Sequence, residues 1–387
     1  MRTPALITPS VMEWARKTAG MSVEDAVECL VAKNVAKSIT PEIVKGWETG
    51  KGAPTYRQLE KVAAIYHRPL IVFYLPKPPE EDDIKSEFEF FPKAQAELLP
   101  HQIRFLVRSA DNFRLNLYEL QRGGQNPAVK KIFDDIRFSA SHDTKRAAAK
   151  VRRYLNLGDP QQYKNDDAAF EARRQSIEEH GVSVFKESFK YNDCSGFCLY
   201  DRQFPIIYIN NDLPTAQQSF ALFYQLALIL MKKSGIRFRG KQADAAEELT
   251  CAIFAGETLA PEADIKKIVS KDTIFTNKVM ELLTAQYSVS QEVILRQLLN
   301  VDLINQKLFD KMNTQLQKEQ ESKKQRQGPA NYAVRVYSYL SKIYIQAAYD
   351  KYHHGRIDEC QLADYLNTKV RYLDIIARYL LRDTKID

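Results

Sequence analysis

Residues 219–231 read SFALFYQLALILM, and this mostly apolar run of 13 residues decides the fold. It is too short to span a bilayer and predicts a buried core helix. In a zinc-protease helix, two histidines at i and i+4 share one face, and a glutamate beside the first acts as general base. Those three positions hold Tyr224, Gln225 and Leu228 here. The stretch therefore predicts a protease-type helix without its metal ligands.

The six histidines of the chain lie elsewhere, at His67, His101, His142, His180, His353 and His354. None falls between residues 181 and 352, so no shifted pair of histidines is found in that region. A catalytic zinc takes about three protein ligands and one water. The neutral amide of Gln225 cannot accept a proton from such a water. We therefore predict no catalytic residue, no metal, no cofactor and no enzymatic activity.

Three motifs precede this helix in the chain. They are a strand signal at residues 181–184, a Gly-Phe turn at 196–197 and a β-rich run, PIIYIN, at 205–210. Their order resembles the ImmA/IrrE-type metallopeptidase domain over roughly residues 145–265. Phe220, Leu222 and Leu226 lie in register with the metal-binding helix of that family. The resemblance implies a zincin-like domain.

A second motif of that family follows the helix, at residues 248–261, ELTCAIFAGETLAP. The positions that agree are Glu248, Phe254, Ala255, Leu259 and Pro261. In the family the first glutamate is the third metal ligand, but Cys251 and Ala252 replace its Ala-Asn pair. The alternative role of Glu248 is a solvated helix carboxylate. Because Tyr224, Gln225 and Leu228 replace the two histidines and the general base, and the role of Glu248 as a ligand is not carried over, the resemblance implies a pseudoprotease.

The amino-terminal residues 9–75 predict five short helices. The residues at the helix starts and ends are typical of a helix-turn-helix domain. Pro9 opens the first helix after Thr8 as cap, and Ser22 with Asp25 forms an approximate capping box for the second. Between residues 30 and 40 the chain inserts VAKNVAKSI, which includes Lys33 and Lys37. Helix-turn-helix turns are normally about three or four residues long. Either the second helix runs on, or the turn is remodelled.

Thr40 caps the next predicted helix, which begins at Pro41 and ends at Gly50. It is the candidate recognition helix. A set of residues around it resembles the XRE-type domain that commonly precedes ImmA/IrrE-type domains: Trp47, Glu48, Gly50, Pro54, Thr55, Leu59, Ala63, Arg68, Pro69, Leu70 and Phe73. A recognition helix reads base edges with its first turns, while nearby cations and helix starts contact phosphates.

On this basis we assign DNA-contacting residues. Glu42 and Lys45 are placed toward the groove, and the phosphate neighbours are Thr40, Lys51, Thr55 and Arg57. Trp47 is assigned to helix packing. For each DNA-contacting residue the alternative is an ordinary solvated surface position. Net charge agrees with nucleic acid as a partner, because 56 Lys and Arg less 49 Asp and Glu give +7, with a pI near 8.9.

The five cysteines are an odd number without framework spacing, and no signal peptide opens the chain. We therefore expect reduced thiols in a cytoplasmic protein without a membrane segment. Cys194 and Cys198 suggest a metal pair, but they lack a second Cys or His pair nearby, which favours packing.

Together these patterns predict a mainly α protein with a small β-sheet (α+β) in four parts. They are an XRE-type helix-turn-helix domain at residues 1–75, a linker and helical connector at 76–144, a degenerate ImmA/IrrE-type domain at 145–318 and a C-terminal helical domain at 328–387. Residues 76–83, PKPPEEDD, predict a stiff linker, and residues 319–327, EQESKKQRQ, predict a second linker or a frayed helix end. Phe88, Phe90 and Phe91 either dock on a neighbour or enter a core.

Three predicted helices add functional hypotheses. Residues 100–121 form a long helix that bridges domains or supports a dimer. Residues 145–155, KRAAAKVRRYL, form a basic helix that faces either nucleic acid or solvent. The C-terminal helices carry a Tyr-rich surface suited to a partner, because Tyr is frequent at interface hot spots.

Three functions follow from the resemblance. The favoured one is an antitoxin that represses its own operon and neutralises a toxin from the adjacent gene. Its partners are operator duplex DNA and that toxin, and we expect a homodimer. The alternatives are a prophage-type repressor controlled by a small ligand, and an active zinc metallopeptidase that cleaves a repressor.

Overall fold

The computed structural model describes residues 5–32, 39–66, 68–79, 99–122, 130–139, 143–158, 163–238, 245–269, 277–322 and 331–383. In these ranges the chain forms 18 α-helices, two short 3-10 helices and one four-stranded sheet. The predicted class, mainly α with a small β-sheet, is confirmed. The chain divides into two compact units, Met1–Ser109 and Ala110–Asp387. The finer boundaries at residues 75, 144 and 318 remain predictions.

The first unit is helical. Its elements are α1 (Pro9–Thr18), α2 (Val23–Ala32), α3 (Pro41–Thr49), α4 (Tyr56–Tyr66) and a 3-10 helix (Leu70–Tyr74). Apolar residues at helical spacing face one core, which includes Met12, Ala15, Leu30, Val44, Trp47, Leu59, Val62, Tyr66 and Phe73. The five predicted helices and the packing role of Trp47 are confirmed. Lys33, Lys37, Phe88, Phe90 and Phe91 lie outside the described residues.

Side-chain capping differs from the prediction at two helix starts in this unit and agrees with it at a third. Ser22 and Asp25 form the reciprocal capping box, with N···O distances of 2.9 and 3.0 Å. Thr8 and Thr40 occupy the N-cap positions before Pro9 and Pro41, but neither side chain caps its helix. The Thr8 hydroxyl donates instead to the Leu75 carbonyl oxygen at 2.6 Å. The Thr40 hydroxyl bonds to the Glu42 carboxylate, which lowers the pKa of Glu42.

The second unit begins with helices and then forms the sheet. α5 (His101–Gln121) crosses the boundary after Ser109, and the helices that follow it are α6 (Ile132–Asp135), α7 (Thr144–Tyr154) and α8 (Asp166–Glu179). The strands are β1 (Ser183–Glu187), β2 (Cys194–Leu199), β3 (Ile206–Asn210) and β4 (Gly235–Phe238), in the order β1-β3-β2-β4. β1 and β3 are parallel, and the other pairs are antiparallel. β1 begins two residues after the predicted strand signal because Gly181, at φ +86°, still belongs to the turn.

Helices surround this sheet. α9 (Thr215–Leu230) follows β3 and packs on β2 and β3, and α10 (Ala245–Leu259) packs along α9. The remaining elements are α11 (Glu262–Ile268), α12 (Asn277–Tyr287), α13 (Gln291–Asn300), α14 (Gln306–Ser322), α15 (Tyr332–Tyr339), α16 (Lys342–His353), α17 (Glu359–Tyr365), a 3-10 helix (Val370–Tyr372) and α18 (Leu373–Asp383). The predicted linker at 319–327 is helical as far as Ser322, and its remaining residues lie outside the described ranges. No helix in the described ranges is long and apolar enough to cross a bilayer.

A buried arginine joins the sheet to the C-terminal helices. The Arg174 guanidinium in α8 is 1% exposed and donates to the carbonyl oxygens of Val184, Ser338 and Leu340 at 2.8, 2.7 and 2.6 Å. Its Nε lies 3.8 Å from a carboxylate oxygen of Glu178, and the other oxygen of that carboxylate accepts from the Lys342 backbone N–H at 3.3 Å. The turn between α15 and α16 is therefore held by charged groups of α8.

Candidate functional site

α9 is the central helix of the second unit, and the protein surrounds it on every side. It begins at Thr215, four residues before the predicted start, and every residue from Ala221 to Leu230 is buried. Its neighbours are β2, β3, β4 and α10. An all-apolar helix surface is expected for a helix with no solvent-facing side. The prediction of a buried core helix is confirmed.

Gln225 occupies the position of the general base, and its side chain is fully buried. Its Nε2 donates to the carbonyl oxygen of Gly196 in β2 over 2.9 Å. Its Oε1 is buried and has no hydrogen-bond partner in the part of the chain that the structure describes. A carboxamide can make this donor contact, whereas a carboxylate cannot. The residue thus serves as a link between helix and sheet.

Tyr224 occupies the position of the first histidine. The Arg237 guanidinium of β4 lies over its ring at 4.9 Å from the centroid and over the Phe220 ring at 4.7 Å. Burial raises the pKa of the Tyr224 phenol, and the neighbouring Cys251 and Glu248 raise it further. The phenol therefore stays neutral near pH 7, which makes it a poor metal ligand.

Leu228 occupies the position of the second histidine. A Cβ built on Gly235 in β4 would lie 2.8 Å from Leu228 Cδ1, so the leucine packs directly on the strand backbone. The space below this helical position is filled by hydrocarbon. No donor atom replaces the second imidazole.

Glu248 in α10 is half-buried, and its charge acts on the Tyr224 phenol. The structure therefore brings the three helix positions and Glu248 to one region between α9, α10, β2 and β4. Cys251 and Cys198 line the same region, and burial raises the pKa of both thiols. Lys233 forms an ion pair with Glu247 at the exposed edge.

This set of side chains does not fit a zinc ion. It offers a neutral phenol, a carboxamide that donates to the backbone, an aliphatic side chain, one carboxylate, and two buried thiols whose raised pKa disfavours the thiolate form. Zinc sites in proteins use thiolate, imidazole and carboxylate ligands at about 2.0–2.3 Å. No group of three such residues that could hold a metal occurs in the described ranges. The arrangement therefore has the geometry of a packed helix–sheet contact.

Arg173 holds the beginning of α9 and was not found by sequence reasoning. Its guanidinium donates to Ser219 Oγ at 3.1 Å and to the carbonyl oxygens of Ser288 and Tyr287 at 3.0 and 2.7 Å. Burial lowers the pKa of Arg173 to about 10. Two adjacent arginines in a helix ordinarily indicate a solvated face, so this role could not be predicted from the sequence.

The assigned DNA-contacting residues lie on and after α3 in the first unit. Thr40, Glu42, Lys45, Lys51 and Arg57 are exposed, and Thr55 is half-buried. Gly50 ends α3 at φ +76°, as predicted. Thr55 forms a second capping box with Gln58, with N···O distances of 2.8 and 3.4 Å. Among these positions, α3 carries the cation Lys45 and the carboxylate Glu42. The cations Lys51 and Arg57 follow it.

Two cations of the basic helix α7 form contacts within the second unit. Lys145 pairs with Glu262 at 2.5 Å, and Arg152 donates to the Thr258 carbonyl oxygen at the end of α10, also at 2.5 Å. A cation satisfies a helix carboxyl end well. Three other cations of the helix are exposed: Arg146, Lys150 and Arg153. A cleft of about 250 Å³ lies beside them, lined by Ala149, Arg152, Arg153, Glu257 and Pro261.

The centre of the second unit is a buried helix on a mixed sheet, with a second helix that carries a carboxylate packed along it. Residues 177–299 match the family model of the IrrE N-terminal-like domain, Peptidase_M78. The second unit therefore contains an IrrE N-terminal-like domain, which confirms the ImmA/IrrE-type resemblance for these residues. The matched range covers neither residues 1–176 nor residues 300–387. Comparisons with curated proteins and with solved structures gave no match.

Proposed function

We propose that this chain is a DNA-binding transcriptional regulator whose IrrE N-terminal-like domain has lost peptidase activity and serves as a protein-binding scaffold. In the favoured version it is a cytoplasmic antitoxin. It binds its own operator as a homodimer through the first unit and neutralises a toxin from the adjacent gene through the second. The analogy to XRE plus ImmA/IrrE-type proteins supports the antitoxin role.

One observation is the main support for the proposed loss of peptidase activity. The side chain in the general-base position donates a hydrogen bond to the Gly196 carbonyl oxygen, and its neighbours one turn apart are a neutral phenol and a leucine. A peptidase of this type needs a base that accepts a proton from a metal-bound water. The same helix that would carry out catalysis instead completes the core.

The DNA-binding part rests on the helix order and on α3. This helix is short, begins at a proline, ends at a left-handed glycine and keeps its first-turn side chains exposed. The bidentate pair between Arg16 and Glu48, at 2.6 and 2.9 Å, fixes α3 against α1. A rigid helix with exposed first turns is what base-edge contacts require.

Retention of the chain's own promoter fragment tests this part. The full chain is titrated against that fragment and against a scrambled duplex at several salt concentrations. Lys45→Ala should reduce the preference for the promoter, whereas Lys51→Ala should weaken both duplexes alike and lower the salt slope by about 1. Exposed Lys307, in the second unit, provides the control variant Lys307→Ala. Equal binding of both duplexes by the natural chain would rule out operator recognition.

The partner part has a separate test. The full chain is co-expressed with the product of the adjacent reading frame, and the two are purified through a tag on that product. Co-purification, together with growth rescue when that product is toxic, is the expected result. Absence of both would remove the antitoxin version and leave the DNA-binding part standing.

A repressor controlled by a small ligand is the second candidate. The cleft beside α7 favours it, because two arginines and the Glu257 carboxylate line it. Burial raises the pKa of Glu257. A ligand that binds only the folded chain raises its melting temperature. Thermal shift against small carboxylates and phosphates, with Arg153→Ala as the variant, distinguishes this candidate.

A further inference from the structure

The last helices of the chain share a surface in which arginines alternate with tyrosines. We name it the Arg–Tyr face, and it consists of Tyr332, Arg335, Arg371, Tyr372, Arg378, Tyr379 and Arg382. α15 packs against α18, and the 3-10 helix before α18 packs on α18. All four arginines are exposed, and Tyr332 is 36% exposed. The face is therefore on the outside of the second unit.

The planar groups of this face contact one another. The Arg335 guanidinium lies 5.3 Å from the centroid of the Tyr332 ring, which lies 4.8 Å from the Tyr372 ring with the two rings tilted by 42°. The Arg371 guanidinium lies 4.7 Å from the centroid of the Tyr372 ring and donates to its hydroxyl at 2.8 Å. Four planar groups are thus in pairwise contact at the junction of α15 and the 3-10 helix.

A second set of contacts lies further along α18. The Arg382 guanidinium lies 5.7 Å from the centroid of the Tyr379 ring, and this ring lies 5.6 Å from that of Tyr337. Arg378 and Arg382 are one helical turn apart, a rise of about 6 Å. Cation–π contact holds the guanidinium groups of Arg335, Arg371 and Arg382, so less side-chain entropy is lost when they bind a ligand.

The charge of the face is strongly positive. None of its four arginines forms an ion pair with another of the residues that the structure describes. Asp374 is an exposed carboxylate at the start of α18, which ends at Asp383, and half-buried Glu187 lies near enough to Arg335 for that cation to oppose the rise in its pKa. The four arginines outnumber these three carboxylates, and such an excess of positive charge attracts a polyanion.

We propose that the Arg–Tyr face binds single-stranded nucleic acid without sequence preference. Such sites combine cations that follow the phosphates with planar groups on which unpaired bases stack. The guanidinium and phenol groups in contact on this face supply the second element, and Arg378 with Arg382 supplies the first. This activity goes beyond the proposed operator binding, which uses duplex DNA and the first unit.

Two other occupants fit the observations less well. An acidic protein segment would use the same cations, and Val370 and Leu381 are exposed beside them. Protein hot spots are centred on pockets, however, whereas these arginines stand on exposed helices. Duplex DNA read by α16 and α17 as a second helix-turn-helix is disfavoured, because α17 exposes Glu359 and Asp364.

Fluorescence anisotropy of the full chain with labelled dT20 and rU20 tests the proposal. The variant Arg335→Gln/Arg371→Gln/Arg382→Gln should weaken binding of both probes at least about tenfold at low salt. Because each neutralised phosphate on a single strand contributes about 0.7, the slope of log K against log salt should fall by about 2. The control Lys266→Gln/Lys307→Gln/Lys311→Gln changes exposed cations of the same unit by the same charge and should leave both values unchanged.

A stacking variant separates the two elements of the site. Tyr332→Leu should weaken dT20 binding about threefold or more and leave the salt slope unchanged, because stacking carries no charge. Thermal melting verifies that each variant is folded. The proposal is overturned by absence of saturable dT20 binding, by equal binding in the triple arginine variant, or by poly-glutamate binding that is tighter than dT20 and lost in that variant. Operator binding through α3 is measured separately with Lys45→Ala. Failure of dT20 binding would therefore not exclude operator binding, and failure of operator binding would not exclude dT20 binding.

Discussion

The Nε2 of Gln225 donates a hydrogen bond to the carbonyl oxygen of Gly196 over 2.9 Å, between the central helix and strand β2. A Cβ on Gly196 would lie 2.7 Å from the Tyr208 carbonyl oxygen, so the strand is tightly packed at this point. Helix and sheet are thus joined at the position where a peptidase of this type carries its general base.

Gln225→Glu should destabilise the second unit. A carboxylate cannot donate to the Gly196 carbonyl oxygen, and its burial leaves a charge unpaired, which costs about 1–3 kcal/mol or more. Burial would hold its folded-state pKa above the unfolded value of about 4.3. Stability should therefore be highest below that value and fall as pH rises through the folded-state pKa. Urea unfolding between pH 4 and pH 8 measures this.

Gln225→Met provides the matched control, since it removes the hydrogen bond without adding a charge. Its destabilisation should not depend on pH. A Gln225→Glu variant as stable at pH 8 as the natural chain would show that the helix–sheet contact tolerates an anion.

Tyr224→His/Gln225→Glu/Leu228→His should restore zinc binding if the helix descends from a zinc site. Glu248 is close enough to affect the Tyr224 phenol and would be the third ligand. The expected result is about one zinc per chain after dialysis, measured by mass spectrometry of the metal. The variant with Glu248→Ala in addition should lose it. Stoichiometric zinc in the natural chain at this position would contradict the assignment of a pseudoprotease.

Arg174→Met should destabilise the second unit by about 3–5 kcal/mol, because it leaves Glu178 buried without its cation. Burial already raises the pKa of Glu178. Since its folded-state pKa is above the unfolded value, the added loss should be small at pH 4 and grow as pH rises. Unfolding midpoints at both pH values measure it.

Arg174→Met/Glu178→Gln should recover part of this stability, because no uncompensated charge remains. Arg378→Gln, on an exposed arginine, should change the midpoint little. If Arg174→Met were as mild as that control, the three carbonyl contacts would contribute nothing to stability.

Two glycines, one within α3 and one at its end, should respond to alanine in opposite directions. Gly50 has φ +76°, a conformation that costs a side-chain residue about 1–2 kcal/mol. Gly46 lies inside α3 with no heavy atom within 4 Å of an added Cβ. Gly46→Ala should therefore stabilise the first unit by about 0.5–1 kcal/mol. Thermal unfolding compares the two, and a shared sign would contradict the described end of α3.

The five cysteines should react with a thiol reagent in two groups. Cys360 is exposed and Cys29 half-buried, whereas Cys194, Cys198 and Cys251 are buried. Burial raises the pKa of Cys194 to about 12 and raises those of Cys198 and Cys251 as well. Because the thiolate is the reactive form, these three should react only after unfolding. Absorbance of the released reagent at pH 8, with and without denaturant, counts both groups.

Hydrophobic periodicity and the residues typical of helix starts and ends were sufficient to predict the helices of the first unit and the core helix of the second. Gly50 and Pro41 allowed the bounds of α3 to be predicted, because a proline and a left-handed glycine act locally. The sequence was also sufficient to predict that three positions on one helix lack metal-ligand side chains. It was not sufficient to predict the contacts of these side chains, because the partners of Gln225 and Tyr224 come from β2 and β4.

The caps and buried charges show the limit of local reasoning. Thr8 and Thr40 were predicted to accept hydrogen bonds from helix N–H groups, but their hydroxyls bond instead to the Leu75 carbonyl oxygen and the Glu42 carboxylate. Arg173 and Arg174 appear in the sequence as an ordinary polar pair. Their roles depend on carbonyl oxygens more than 100 residues away, which no pattern along the chain can reveal.

The carbonyl oxygens of Ser338 and Leu340 depend on a guanidinium that itself also binds strand β1. Non-covalent contacts, and not only the chain connection, therefore hold the C-terminal helices against the sheet. Two separately produced pieces, one ending and one beginning within residues 323–330, should recombine into a stable complex, as complementary fragments of one folding unit do.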